Sequence, residues 1–158
     1  MKTVVDTSVL MALLNQADDH TEEAAALLGR AYKDGGIVIN TVVYAELSAY
    51  FEEREEVDAF LAATGVRVEQ IDRQAVFRAG QAFREYLDAR PDGLQCPECG
   101  TVSRSSCPDC GRILGPRQHV PSDFLIGADA AVQADRLLTF DEGFFTTYFP
   151  DLDVVAPA

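Results

Sequence analysis

Short apolar runs alternate with helical patterns along almost the whole chain, and this alternation constrains the fold more than any other feature. The apolar runs predict strands at positions 2–5, 37–39, 66–71, 136–140 and 153–155. Strands that are separated by helices pair in parallel, because each crossover helix returns the chain to the same end of the sheet. The sequence therefore predicts an α/β fold in which helices cover both faces of a central parallel sheet.

Capping residues and helix breakers predict where the helices begin and end. Thr7 and Ser8 are expected to cap the first helix, and Thr41 is expected to cap the helix after the second strand. Asp72 is expected to cap a long helix that ends near Ala89. Helical spacing predicts that the core face of this long helix consists of Val76, Ala79, Gly80, Phe83 and Leu87.

The length and hydropathy of the chain indicate its number of domains and its cellular compartment. A chain of 158 residues suits one domain with a small insertion. Its apolar runs, such as residues 24–28, are far shorter than the roughly 20 residues of a membrane span. The N-terminus reaches Asp6 too early for the apolar part of a secretory signal. We therefore expect a cytoplasmic protein with no membrane partner.

Four acidic residues are predicted to meet beyond the carboxyl ends of the strands, where α/β proteins place their sites. Asp6 follows the first strand and Asp141 follows the fourth. Glu46 lies in the helix after the second strand, and Asp123 begins a later helix. Each could singly be a helix cap, a turn residue or a surface acid. Together they would repel one another unless a cation compensates, and Mg²⁺ or Mn²⁺ prefers such oxygen ligands.

Two further acids are expected to lie outside this group. Asp129 is six residues beyond Asp123, about 240° further around an α-helix, so we expect it on the surface. Glu142 is expected to point away from Asp141, because neighbouring side chains of an extended segment alternate.

Four segments around the acidic residues resemble, in order, the motifs of PIN-domain nucleases. They read VVDTSVL at 4–10, TVVYAEL at 41–47, SDFLIGA at 122–128 and LLTFDEGFF at 137–145. Order and spacing agree over nearly the whole chain, and the size is most similar to that of VapC-type toxins of toxin–antitoxin pairs. The resemblance implies a PIN-like nuclease domain over residues 1–158, with a three-layer α/β/α sandwich around a parallel sheet.

The resemblance also implies an activity and its residues. The activity is endonucleolytic cleavage of RNA that depends on Mg²⁺ or Mn²⁺. The metal-binding catalytic acids are Asp6, Glu46, Asp123 and Asp141. Ser8 is the polar neighbour that such domains often keep at the site, where it could contact RNA, and Thr139 is a weaker candidate. An antitoxin protein and a second copy of the chain are the implied protein partners.

All four cysteines lie in one segment, residues 94–120, which ordinary short PIN domains lack. Cys96 and Cys99 form one C-x-x-C-Gly knuckle, and Cys107 and Cys110 form another. Two such knuckles predict a closed, structural zinc loop in which all four ligands are cysteines. Two disulfides or an iron site are the alternatives, and a reducing compartment disfavours the disulfides.

The same segment is the expected place for RNA contact. The formal charge of the chain is −13, which by itself argues against a nucleic-acid partner. Residues 94–120 differ, since three arginines exceed their two acids. Arg104, Arg112, Arg117 and His119 are therefore candidate RNA contacts, and the alternative is a loop that only rigidifies the rim of the site.

Three functions remain compatible with the sequence. The first is the toxin of a VapBC-type toxin–antitoxin pair. The second is a PIN-domain nuclease of RNA processing or ribosome maturation. The third is a catalytically silent module that binds RNA or protein, which the intact acidic residues disfavour.

Overall fold

The computed structural model describes residues 1–15, 19–90, 93–95, 101–115 and 121–156. Within these ranges the elements are β1 (Lys2–Val5), α1 (Thr7–Leu14), α2 (Thr21–Asp34), β2 (Gly36–Asn40), α3 (Thr41–Ser48), α4 (Arg54–Thr64), β3 (Val66–Glu69), α5 (Arg73–Ala89), β4 (Leu94–Gln95), β5 (Val102–Ser103), α6 (Ser122–Gln133), β6 (Arg136–Leu138), α7 (Glu142–Tyr148) and β7 (Val154–Val155).

The central sheet has five strands in the order β3-β2-β1-β6-β7, and every neighbouring pair is parallel. All five predicted strands are thus confirmed, although β3 and β6 end about two residues earlier than the apolar runs suggested. The strand order reverses between β1 and β6, where Val5 lies opposite Leu138. A crevice forms beyond the carboxyl ends of strands at such a reversal, so the fold itself indicates where a site belongs.

Helices flank the sheet and seal a core of aliphatic and aromatic side chains. The strands β1 and β2 are buried on both faces, as in other parallel sheets that helices cover. Helix α6 passes close to aromatic residues in α7 and directly after it. A Cβ atom at Gly127 would lie only 2.4 Å from the ring of Phe149, so this packing requires glycine. The predicted α/β/α architecture is confirmed.

Two of the predicted helix caps are wrong by one position or more. Asp6, rather than Thr7 or Ser8, caps α1, because its carboxylate accepts the backbone N–H of Thr7. Asn40, rather than Thr41, caps α3 by accepting the N–H groups of residues 42 and 43. The predicted cap of α5 at Asp72 is confirmed.

The core face of α5 is rotated from the predicted one. Ala75, Ala79, Ala82 and Phe83 are buried, whereas Val76 is 48% exposed and Gly80 is also exposed. The small alanine side chains let α5 approach its neighbour α6 closely. Phe83 of α5 packs edge-to-face on Phe124 of α6, with 5.5 Å between the ring centroids.

The segment after α5 is a separate small structure. Its strands β4 and β5 form an antiparallel pair, and Ser106 forms an isolated antiparallel bridge with Ile113. The segment starts and ends at neighbouring places, because Tyr86 near the end of α5 lies 5.8 Å from Phe124 near the start of α6. In the described ranges, no helix is both long enough and apolar enough to cross a membrane.

Candidate active site

Asp6 is the most enclosed of the four acidic residues, with 6% of its surface exposed. It directly follows β1, at the position where the strand order reverses. Oδ1 accepts the backbone N–H of Thr7 at 2.8 Å, and Oδ2 accepts the hydroxyls of Ser8 at 2.6 Å and Thr139 at 2.8 Å. Three donors therefore fix this carboxylate in one orientation.

The same two hydroxyls hold the loop that carries Asp141. The hydroxyl oxygen of Thr139 accepts the backbone N–H of Asp141 at 3.0 Å, and that of Ser8 accepts the N–H of Phe140 at 3.1 Å. Asp141 in turn caps α7 by accepting the N–H of Phe144 at 3.2 Å. Asp6 and Asp141 are consequently linked through a single threonine side chain.

Glu46 reaches the site from α3, and its carboxylate accepts a hydrogen bond from the hydroxyl of Thr7. The start of α3 is anchored in the interior by its cap residue. Asn40 accepts two backbone N–H groups through its Oδ1 and donates its Nδ2 to Oδ2 of Asp129 at 3.1 Å. This anchor joins α3, which carries Glu46, to α6, which carries Asp123.

Asp123 lies in the first turn of α6 and is half-buried. Burial, followed by the negative charges of Asp6, Glu46 and Asp141, raises the pKa of Asp123 to about 6. The position near the helix N-terminus favours a carboxylate but does not offset these effects. The raised pKa shows that the four acids share one electrostatic environment.

The acidic residues line one open cleft of about 530 Å³. The lining comprises Asp6, Thr7, Ser8, Glu46, Ala49, Tyr50, Asp123 and Asp141. Carboxylate and hydroxyl oxygens dominate this set, and they are the hard ligands that Mg²⁺ and Mn²⁺ prefer. The donor chemistry therefore fits such an ion. In the described part of the chain, however, no three carboxylate, imidazole or thiol groups already have the arrangement of a metal site.

Asp129 is a correction to the sequence analysis, which placed it on the surface. Only 4% of its surface is exposed. Its carboxylate accepts hydrogen bonds from the side-chain amides of Asn40 and Gln133. Burial raises its pKa, and these two hydrogen bonds act in the opposite direction. The expectation that it lies outside the acidic cluster holds, since it does not line the cleft. Glu142 is exposed and also does not line the cleft.

Two of the four predicted zinc ligands lie among the described residues. Cys107 and Cys110 are free thiols, not a disulfide with each other. The backbone N–H groups of Cys110 and Asp109 and the Cys110 side chain hydrogen-bond to the Cys107 sulfur, which lowers its pKa. Gly111 follows in a left-handed conformation, with φ of 71°. Cys96 and Cys99 lie outside the described residues, so the zinc loop stays a prediction.

The candidate RNA contacts are only partly described. Arg104 and Arg112 are exposed, as phosphate contacts must be. Arg117 and His119 lie outside the described residues. Ser8 and Thr139 lie in the site, where their hydroxyls bind Asp6.

Sequence reasoning missed three residues that line the cleft, Thr7, Ala49 and Tyr50. Thr7 orients Glu46 through its hydroxyl, although the sequence analysis treated it only as a helix cap. Its position directly after Asp6 was the available signal. Tyr50 is 64% exposed at the cleft, in the turn directly after α3, and its place four positions after Glu46 could have indicated it.

Comparisons with known proteins agree with this geometry. The PIN domain model matches residues 3–90, a segment that includes Asp6 and Glu46. No curated protein matches the chain. Two similar solved structures are VapBC2 from Rickettsia felis bound to a DNA fragment from their promoter and VapBC-1 from nontypeable Haemophilus influenzae.

The similarity to these structures lies in the fold. The TM-score to the Rickettsia felis structure is 0.60, with 18% identity and full coverage of both chains. The TM-score to the Haemophilus influenzae structure is 0.58, with 17% identity and coverage of 99% of this chain and 98% of that chain. A third structure is DNA-bound VapBC from Salmonella typhimurium. Its TM-score is 0.56 and its identity 16%, with 99% of this chain and 98% of that chain covered.

The strand order, the acidic cleft and the match to the PIN domain model all indicate the same family. The matched segment is more than half of the chain, and the structural similarity extends over the remainder, which carries Asp123 and Asp141. Family membership implies a nuclease. The chain belongs to the PIN-domain family.

Proposed function

We propose that this protein is a Mg²⁺- or Mn²⁺-dependent endoribonuclease and the toxin of a VapBC-type toxin–antitoxin pair. The observation that carries the proposal is the single cleft that Asp6, Glu46, Asp123 and Asp141 line together. Four acids that share one cleft at a reversal of strand order form a site for a cation and a phosphodiester, rather than four unrelated caps and turns.

The four carboxylates would hold the cation. A divalent cation bound there would stabilise negative charge on a scissile phosphate and lower the pKa of a water molecule. The chain's own contribution is positional. Three donors fix Asp6, and the threonine between Asp6 and Asp141 sets the distance between two of the ligands. Such pre-organisation lowers the entropy cost of assembling the site.

RNA as the substrate is supported by the shape and lining of the site. Among the described residues the cleft is open to solvent, so a phosphodiester of an extended RNA can reach the acids. The exposed ring of Tyr50 offers a surface on which an unpaired base can stack. Arg104 and Arg112 lie in the segment that leads to Asp123, and they offer positive charge on an otherwise acidic protein.

An antitoxin partner is supported by a second, chemically different surface. A groove of about 470 Å³ between α2 and α4 is lined mainly by small and apolar side chains, among them Leu28, Tyr32 and Ala62. Tyr32 is 63% exposed there. The structural neighbours are VapBC structures, in which VapB is the second component.

The deciding experiment expresses the wild type and Asp6→Asn in cells and maps newly formed RNA ends. The substitution removes one negative charge with little change of shape. We expect loss of divalent-ion binding and at least a hundredfold slower cleavage, roughly 3 kcal/mol of barrier. Glu142→Gln is the matched control, because it neutralises an exposed acid next to the site. Equal cleavage by the wild type and Asp6→Asn would contradict the proposal.

The toxin assignment has its own test. If a small antitoxin-like protein is encoded beside this gene, it is co-expressed with the wild type, and cell growth and RNA ends are followed. Suppression of both growth arrest and cleavage supports a toxin. Cleavage that continues unchanged indicates a nuclease of RNA processing, and absence of cleavage under every condition indicates a silent binding module.

A further inference from the structure

A hydrogen bond in the interior joins the two helices that carry Glu46 and Asp123. Nδ2 of Asn40, the cap residue of α3, donates to Oδ2 of Asp129 in α6 at 3.1 Å. Asn40 is fully buried, and only 4% of the surface of Asp129 is exposed. The described lining of the cleft includes neither residue. Buried outside the cleft, this pair can act on the site only by holding other residues in place.

The contact lies at equal sequence distances from the two acids. Glu46 follows Asn40 by six positions along α3, and Asp123 precedes Asp129 by six positions along α6. Six residues of an α-helix span about 9 Å, so the axial distance from the contact is the same for both acids. The chain runs away from the contact in α3 and toward it in α6. Both acids therefore lie toward the same end, where they line one cleft.

Helix α3 is short and offers little apolar surface to the core. Of its eight residues only Val43 and Leu47 are buried. Its start is fixed by Asn40, whose Oδ1 accepts the N–H groups of Val42 and Val43. The same side chain thus ends β2, caps α3 and contacts α6. Because Glu46 is less than two helical turns away, any change in the direction of α3 at this cap would displace its carboxylate.

On the α6 side, a second amide holds the carboxylate of Asp129. Nε2 of Gln133 donates to Oδ1 of Asp129 and, at 3.2 Å, to the carbonyl oxygen of Gln70. Burial raises the pKa of Asp129, and the carboxylate forms no ion pair in the part of the chain that the structure describes. Apolar side chains of similar volume would serve stability at least as well. Two directed hydrogen bonds instead favour one placement of α3 against α6.

We propose that Asn40 and Asp129 are positioning residues that fix the separation of Glu46 and Asp123 across the cleft. The inference rests on the proposed function, in which these two acids hold a divalent cation. Loss of the hydrogen bond would leave both ligands present but would let α3 shift against α6. Cation affinity should then fall, because part of the binding free energy is used to order the ligands.

The test exchanges the two side chains. Asn40→Asp keeps the cap of α3, since aspartate caps as well as asparagine, but it places two carboxylates against each other. Asp129→Asn leaves a single side-chain oxygen for the two amides that donate to this residue. In the double variant the amide at position 129 can donate to the carboxylate at position 40. Every hydrogen bond of the pair is then possible again, and the net charge is that of the wild type.

The main measurement is Mn²⁺ binding by the full-length protein without RNA, followed through the paramagnetic resonance of the free ion. Asn40→Asp should weaken binding roughly tenfold, although its added negative charge alone would favour a cation. Asp129→Asn should weaken it too, and the double variant should bind within about threefold of the wild type. Val57→Ala is the control, because it alters a buried position of α4, which carries none of the four acids of the cleft, and it should leave Mn²⁺ affinity unchanged.

Circular dichroism confirms that each variant is folded, and RNA cleavage is measured beside Mn²⁺ binding. If Asn40→Asp does not fold, Asn40→Ser replaces it, because serine keeps a capping oxygen but is too short to reach Asp129. Wild-type affinity in the single variants overturns the positioning role and leaves the proposed nuclease intact. Weakened binding that the double variant does not restore also overturns it. A wild type that neither binds Mn²⁺ nor cleaves RNA overturns the proposed function, and this inference with it.

Discussion

The hydroxyl of Thr139 donates a 2.8 Å hydrogen bond to Oδ2 of Asp6 and accepts the backbone N–H of Asp141 at 3.0 Å. Thr139 is fully buried at the end of β6, next to the end of β1 in the sheet. One side chain thus couples two acids that follow neighbouring strands. The distance between two of the proposed metal ligands depends on a residue that need not touch the metal.

Thr139→Val should show how much the positioning of Asp6 and Asp141 contributes, because it removes neither of these proposed metal ligands. Valine has nearly the same shape but cannot donate to Asp6 or accept from Asp141. We expect about 1–2 kcal/mol lower free energy of unfolding, measured in urea, because two hydrogen bonds are lost and their partners stay near the interior. Cleavage should slow by about tenfold, measured with saturating Mg²⁺ or Mn²⁺.

The control is Thr147→Val, which removes a hydroxyl from the exposed part of α7, where it donates a hydrogen bond to the carbonyl of Gly143. It should leave cleavage unchanged. If Thr139→Val cleaves as fast as the wild type, the threonine has no positioning role in the site.

Asp123 should make stability depend on pH in an unusual direction. Its folded pKa of about 6 lies above the usual value of 3.8, so the folded state binds the proton more tightly than the unfolded state. The free energy of unfolding should therefore fall as pH rises from about 4 to 6 in the absence of divalent ions. Asp123→Asn should remove this loss and be more stable than the wild type at neutral pH.

The whole shift corresponds to about 3 kcal/mol, and solvent in the open cleft reduces the expected gain to about 1–2 kcal/mol. Urea unfolding of both proteins in EDTA across this pH range measures it. Asp151→Asn is an informative control, because a hydrogen bond from Arg78 lowers the pKa of Asp151. Removing this carboxylate should lower the free energy of unfolding at neutral pH, whereas Asp123→Asn should raise it. A pH-independent difference between the wild type and Asp123→Asn would contradict the coupling.

Zinc should be bound at about one ion per chain by Cys96, Cys99, Cys107 and Cys110. The amides that already face the Cys107 sulfur favour its thiolate, the form that binds metal. Mild EDTA should strip the catalytic ions but leave zinc, and Cys99→Ser should release zinc while the α/β body stays folded. Elemental analysis measures the metal. Protein that holds no zinc, or that contains two disulfides, would show this prediction to be wrong.

Arg104 and Arg112 should contribute to RNA binding through phosphates. Arg104→Ala and Arg112→Ala should each lower the slope of log affinity against log salt by about 1, measured over a salt series with a single-stranded RNA. Arg30→Ala, an exposed arginine of α2, serves as the matched control. Identical slopes for all four proteins would assign the insertion a purely structural role.

The fold was predictable because the evidence for it is periodic and local. Apolar runs such as residues 37–39 can be buried only between helical layers, and four motifs in order placed Asp6, Glu46, Asp123 and Asp141 near each other. The two cap errors have a simple cause. Aspartate and asparagine cap helices as well as threonine does, and only the backbone geometry selects among adjacent candidates.

The remaining errors come from contacts that are distant in sequence. Asp129 was expected on the surface because it lies about 240° around α6 from Asp123. That face is also buried, since Asn40, 89 positions away in sequence, contacts Asp129 there. The face of α5 was misjudged because alanines carry a weak hydrophobic signal, although close packing against α6 requires them. Burial of small or hydrogen-bonded side chains depends on tertiary structure more than on local pattern.

The proximity of Tyr86 and Phe124 has a consequence for what this domain can tolerate. Since the chain leaves and rejoins the body at neighbouring points, the segment between α5 and α6 behaves as an exchangeable cassette. The entropy of closing such a loop grows only slowly with its length, by about 0.6 kcal/mol for each doubling. A short glycine–serine bridge, or a longer recognition module, could take its place at little cost to folding. We therefore expect that this segment can be exchanged beside Asp123 without any change to the sheet that holds the acids.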